Sequence, residues 1–122
     1  MKIIIESGAS SWQATINQTP TGQLIFEALP FKCTANRWGK EIYFIIPVAA
    51  DLEPGSTNVV SKGDLGYWPT GNAFCIFFGA TPISEGNKIV AASAVNIFGS
   101  IAGDLESLDQ VADGDEIYVK KA

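Results

Sequence analysis

Apolar residues recur along most of this chain at every second position, the period of a half-buried strand. Ile3 and Ile5 before Gly8 predict a first strand and its turn. Trp12, Ala14 and Ile16, alternating with Gln13, Thr15 and Asn17, predict a second. At Thr19-Pro20 the period changes: threonine is a good N-cap and proline suits the first helical position. Leu24, Ile25, Ala28 and Leu29 then form one helical stripe, which Pro30 ends. Alternation returns at Phe31, Cys33 and Ala35, with Lys32, Thr34 and Asn36 on a wet face. Gly39-Lys40 turns into Glu41 to Ile46, a run of β-branched and aromatic residues closed by Pro47. Residues 51–63 read as loop, with a short edge strand at Val59-Val60. Gly66-Tyr67-Trp68 leads into a turn at Pro69-Thr70-Gly71-Asn72, and Ala73 to Phe78 is a second dense strand. Residues 79–88 are loop, and Ile89 to Ile101 reads as a strand with a break. Asp104 caps a short helix carrying Leu105 and Leu108, and Asp113-Gly114-Asp115 turns into a last strand, Glu116 to Lys120. No linker, composition shift or solenoid repeat divides residues 1–122. The pattern predicts one mainly β domain, a closed or nearly closed antiparallel barrel capped by two short helices.

Composition narrows the partners. With 122 residues, 47% of them apolar, the chain can bury a core without disulfide or metal. Cys33 and Cys75 stand far apart and read as reduced, buried small hydrophobes in a cytoplasmic protein. The opening apolar run, Ile3 to Ile5, is shorter than the roughly seven residues a signal peptide needs. The longest apolar stretch, Ile42 to Ala50, is interrupted by Pro47 and falls short of the about 20 residues of a membrane helix. Thirteen acidic against eight basic residues give a net charge of −5. Neither nucleic acid nor a membrane is therefore an expected partner.

Candidate chemistry is sparse. The chain has no histidine, which excludes a histidine base, nucleophile or metal ligand. Ser10, Ser11 and Ser93 have no histidine to activate them, no Gly-x-Ser-x-Gly elbow exists, and nothing in the sequence places a lysine beside one of them. Asp113-Gly114-Asp115-Glu116 lacks the alternating ligands of a calcium loop and reads as a solvated acidic turn. No glycine-rich phosphate loop is present, and no metal or cofactor is expected. Glu41 and Asp64 are either a carboxylate pair or solvated charges beside turns. Arg37, the only arginine, lies in Asn36-Arg37-Trp38-Gly39; it either rims a pocket or packs on an indole. The unusual feature is aromatic density. In the strand Ala73 to Phe78, one face carries Ala73, Cys75 and Phe77 and the other Phe74, Ile76 and Phe78. Both faces are apolar, so both must be covered. The cover is either core plus a helix, or a ligand in a concave apolar site rimmed by Tyr43, Trp68 and Asn96.

Several segments resemble a family of small prokaryotic cyclophilin-like domains: Gly63-Asp64-Leu65-Gly66-Tyr67-Trp68-Pro69, Ala73 to Gly79, Ser93-Ala94-Val95-Asn96, and Asn36 to Phe44. The resemblance spans essentially the whole chain and implies the cyclophilin fold without a settled biochemical role. Similarity to true cyclophilins is weaker but runs in order, through the helix after Pro20, Ile45-Ile46-Pro47, and Phe98-Gly99-Ser100-Ile101 followed by Gly103-Asp104-Leu105. The departures bear on activity. The resemblance puts Phe44 where cyclophilins hold the prolyl carbonyl with arginine, Cys75 at the phenylalanine flooring the proline pocket, and Val95 near the pocket histidine. A peptide bond resists rotation by about 18–20 kcal/mol, and one lost preorganised donor costs about 3–4 kcal/mol of transition-state stabilisation. Weak isomerase activity at best is the expectation.

The leading expectation is therefore a non-catalytic domain that binds a small ligand or peptide in the groove equivalent to the cyclophilin proline site. Its candidate contacts are Arg37, Trp38, Glu41, Tyr43, Trp68, Phe77 and Asn96, with no catalytic residue. A groove filled by side chains would contradict it. The second expectation is a rebuilt prolyl isomerase in which Arg37 reaches in as the missing donor. The third, by analogy of fold, is an accessory domain bound to a partner protein in an amide-hydrolysing or carboxylating enzyme complex.

Overall fold

A computed structural model describes residues 1–122. The elements in chain order are β1 (Lys2–Ser7), β2 (Ser10–Ile16), α1 (Pro20–Ala28), β3 (Phe31–Thr34), β4 (Asn36–Trp38), β5 (Glu41–Ile45), β6 (Thr57–Val60), β7 (Asp64–Trp68), β8 (Ala73–Phe77), β9 (Ile89–Ile101) and β10 (Glu116–Lys121). Short 3₁₀ turns occupy Pro69–Gly71 and Leu105–Gln110. All strand pairs are antiparallel, in the order β3-β10-β1-β2-β9-β7-β8-β5-β4, with β6 paired to β9 off this path.

The expected closed barrel needs a correction. No ladder joins β3 to β4, so hydrogen bonds do not close the sheet. The two edge strands are instead consecutive in the chain, separated by Ala35 alone. Residues 31–38 pair first with β10 and then with β5, and at the switch Ala35 exchanges backbone hydrogen bonds with Asp115 and Gly114. Ala35 is fully buried, so a small side chain suits this crossing.

The interior takes one phase of each strand's alternation. Ile42 and Phe44 from β5, Leu65 and Tyr67 from β7, and Phe74 and Ile76 from β8 are all fully buried in the main core. Phe74 stacks on Phe44 at 4.8 Å and meets Phe98 edge-on at 5.0 Å. Tyr67 donates its hydroxyl to the Val48 carbonyl, which satisfies the one polar atom it carries inside. Thr19 caps α1 by accepting from the Gly22 amide. The helix presents Thr21, Gly22 and Ile25 to the core rather than the whole predicted stripe, and Leu24 is 45% exposed. Gly22 explains the rotation: a Cβ there would lie 2.3 Å from the Asn17 carbonyl oxygen, so the helix packs through its glycine.

The break expected in β9 is a bulge within one continuous strand. Leu65 pairs with Gly99 and Gly66 with Ile97, leaving Phe98 as the extra residue. Such an insertion bends the strand. A second irregularity between Thr57 and Val59 marks where the first half of β9 pairs with β6. That half folds with β6 across the outer face of β8, where Val60, Ala91 and Val95 pack with Ala73, Cys75 and Phe77 as a second cluster.

Candidate functional site

Between this arm and the sheet lies a pocket of about 210 Å³, lined by Trp38, Glu41, Tyr43, Trp68, Cys75, Phe77, Ala91, Ala92 and Val95. Strand alternation builds its floor. Glu41 pairs with Phe77 and Tyr43 with Cys75 across β5 and β8, and all four project away from the barrel interior. Trp38 enters from β4 opposite Glu41, and Trp68 from β7 opposite Ala73. The Trp68 indole N–H donates to Ser93 Oγ at 2.6 Å, which fixes the ring against β9. Gly66 lets the arm come close: a Cβ there would sit 2.9 Å from Val95 Cγ2 and 3.1 Å from Phe77 Cε2. Side chains do not fill the pocket, and its rim residues Trp38, Tyr43 and Trp68 are each partly exposed.

Five of the seven candidate residues, Trp38, Glu41, Tyr43, Trp68 and Phe77, thus meet in one pocket. Arg37 and Asn96 do not, and their placement at the site is corrected. Each is the strand neighbour of a pocket residue, Trp38 or Val95, and successive side chains point to opposite faces. Arg37 donates to the Gly39 carbonyl, to the Asp109 and Val111 carbonyls, and to Asp109 Oδ1 at 2.8 Å. Its guanidinium also lies over a ring, though that of Phe78 and not an indole. Asn96 is buried beneath α1, where it donates to Thr21 Oγ1 and the Asp51 carbonyl and accepts from the Glu53 amide. Replacing Arg37 by alanine removes a clamp between β4 and residues 109–111. We expect a loss of about 1–2 kcal/mol in urea unfolding, with the Trp38 and Trp68 indole NMR signals unmoved. A shift of both indoles would put Arg37 back at the site.

The same alternation corrects the expected position of Phe44. It faces the barrel interior, fully buried, and Tyr43 is the residue β5 offers to the groove. Cys75 and Val95 do line the pocket. Cys75 shares the Phe77 face by simple alternation, so the sequence carried a signal for it. Ala91 and Ala92 carried none, since small residues mark a pocket only by the space they leave.

Glu41 is the only charged residue in the lining and is 6% exposed. The chain's three ion pairs, Lys32–Glu116, Arg37–Asp109 and Lys120–Glu6, do not use it. Burial pushes its carboxyl up to about 7, opposed more weakly by the neighbouring Cys75 thiol. Burial, then the charge of Glu41, then its hydrogen bond hold the Cys75 thiol well above the ordinary range. A thiolate nucleophile is therefore not what this pair supplies at neutral pH. No group of three or more metal-ligating side chains exists in the structure, and no helix is long and apolar enough to cross a membrane.

A family model described as cyclophilin-like matches residues 1–120. The solution structure of the hypothetical protein AF2241 from Archaeoglobus fulgidus superposes with a TM-score of 0.84 at 45% identity, covering 100% of this chain and 95% of that one. The structure of McbB in complex with tryptophan superposes with a TM-score of 0.73 at 14% identity, over 98% of this chain and 44% of McbB, a likeness of fold alone. No curated protein matches the sequence.

Proposed function

We propose that this chain, which belongs to the cyclophilin-like family, is a binding domain that takes a small ligand in the outer-face pocket between β8 and the β6–β9 arm. The observation that carries this reading is an open cavity of about 210 Å³ with an aromatic rim and one buried carboxyl. Apolar walls with a few placed polar groups are the usual make-up of a ligand site. The volume lies below the roughly 300 Å³ at which drug-sized pockets begin. It suits a ring-sized molecule, or a single side chain of a peptide, better than an extended segment.

The isomerase reading loses support on geometry. Arg37, the one guanidinium, is committed to Asp109 and Val111 on the opposite face. No other cation lines the pocket to hold a twisting prolyl carbonyl. The test is an NMR titration of isotope-labelled protein with benzyl alcohol and, separately, with an Ala-Pro peptide. Benzyl alcohol is expected to shift Tyr43 and the Trp38 and Trp68 indoles, with cis/trans exchange in the peptide unchanged. Accelerated exchange would overturn the non-catalytic assignment. Silence from both probes would overturn the ligand-binding reading and favour an accessory domain on a partner protein.

A further inference from the structure

We infer that the pocket selects a small organic cation, a protonated amine carried on a flat apolar body, with Glu41 as its counter-ion and the aromatic rings of Trp38, Tyr43 and Trp68 around it. This deepens the ligand-binding reading and rests on it. The first argument is charge. A carboxylate nine-tenths buried is ordinarily paired with a cation, yet no lysine or arginine reaches Glu41. Lys40, its chain neighbour, packs against Gly79 instead, and Arg37 is turned to Asp109. Once ionised, Glu41 can find its cation only outside the chain.

The second argument is the lining. β4 contributes Trp38, β7 Trp68, β8 Cys75 and Phe77, and β9 Ala91, Ala92 and Val95; β5 adds Tyr43 beside Glu41. The titratable groups lining the pocket beside Glu41 are thus Cys75 and Tyr43, neither of them a cation, and burial holds the Cys75 thiol well above its ordinary range. Indole and phenol faces carry negative charge density and attract ammonium groups. A carboxylate ligand would meet Glu41 and the same faces with the wrong sign. The size argument agrees, because an apolar cavity of about 150 Å³ already admits a benzene ring, and this one is about 210 Å³.

Proton linkage gives the inference a signature. Burial leaves Glu41 largely protonated below pH 7. A cation binds the ionised form, so below that pH binding must expel a proton. Affinity for an amine that stays protonated should therefore rise as pH rises, by roughly tenfold per unit below 7, and level off above it.

The test compares benzylamine, benzyl alcohol and phenylacetate against the full chain by NMR titration at pH 5.5, 7 and 8.5. Benzylamine is expected to bind at least tenfold more tightly than benzyl alcohol at pH 8.5, and phenylacetate not measurably. The preference should shrink toward pH 5.5 and vanish in Glu41→Gln. Equal binding of amine and alcohol at every pH leaves the pocket reading intact and overturns the cation inference. A benzylamine affinity that does not rise between pH 5.5 and 8.5 also overturns it, because the ionised carboxylate would then not be its partner. If none of the three binds, the ligand-binding reading itself falls.

Discussion

Replacing Phe74 by alanine should cost this protein about 3–5 kcal/mol, the largest effect expected of any single substitution considered. Phe74 is fully buried between Phe44 and Phe98, stacked on one and edge-on to the other. Each aromatic pair adds about 0.5–1.5 kcal/mol beyond the area it buries. The cavity left behind cannot collapse easily, because Phe44 and Phe98 are held by separate strands of one sheet. Small domains are stable by only about 5–15 kcal/mol, so the variant should lose a large share of its stability. Urea unfolding of the two proteins measures this directly. A loss below about 1.5 kcal/mol would mean that the barrel interior repacks freely and that this trio does not organise it.

The second large effect is electrostatic. Glu41→Gln should stabilise the ligand-free protein at pH 8 by about 3 kcal/mol relative to pH 4.5. The carboxyl titrates near its ordinary 4.5 when the chain is unfolded and near 7 when folded. Below pH 4.5 both states hold the proton and the group costs nothing. Between 4.5 and 7 the unfolded chain ionises while the folded one does not, so stability falls as pH rises. Above 7 both are ionised and the loss is complete. Glutamine has nearly the same shape and never ionises, so its unfolding free energy should lack this decline. Urea unfolding at pH 4.5, 6 and 8 gives the comparison. Parallel curves for the two proteins would show Glu41 to be solvated in the folded state. A bound cation should reverse the trend in the wild type, by giving the ionised carboxylate a partner.

Both effects originate in the two-residue period of β5 and β8, which also set how far the sequence could be read. Alternation alone sorted Phe74, Ile76 and Phe78 from Ala73, Cys75 and Phe77. It could not say which set faces the barrel, because both sets are apolar. The alignment of Ile45-Ile46-Pro47 with cyclophilins then put Phe44 in the groove, one residue out of phase with its place in the structure. The same one-residue phase separates Arg37 from Trp38 and Asn96 from Val95. Each is adjacent in sequence to a pocket residue and is committed to the other face by hydrogen bonds across 43 to 75 positions.

Sequence by itself determined the strand and turn periodicity, the Thr19 cap, the family and the absence of histidine chemistry, since each depends on residue identity over a few neighbouring positions. Tertiary structure alone decided three things. The bend of β9 at Phe98 and its pairing with β6 bring an arm over β8. The glycine at position 66 lets that arm approach. The turning of Lys40 and Arg37 toward other partners leaves Glu41 buried without a cation. These depend on contacts between residues far apart in the chain, and a pocket is the space such contacts leave, which no local pattern encodes.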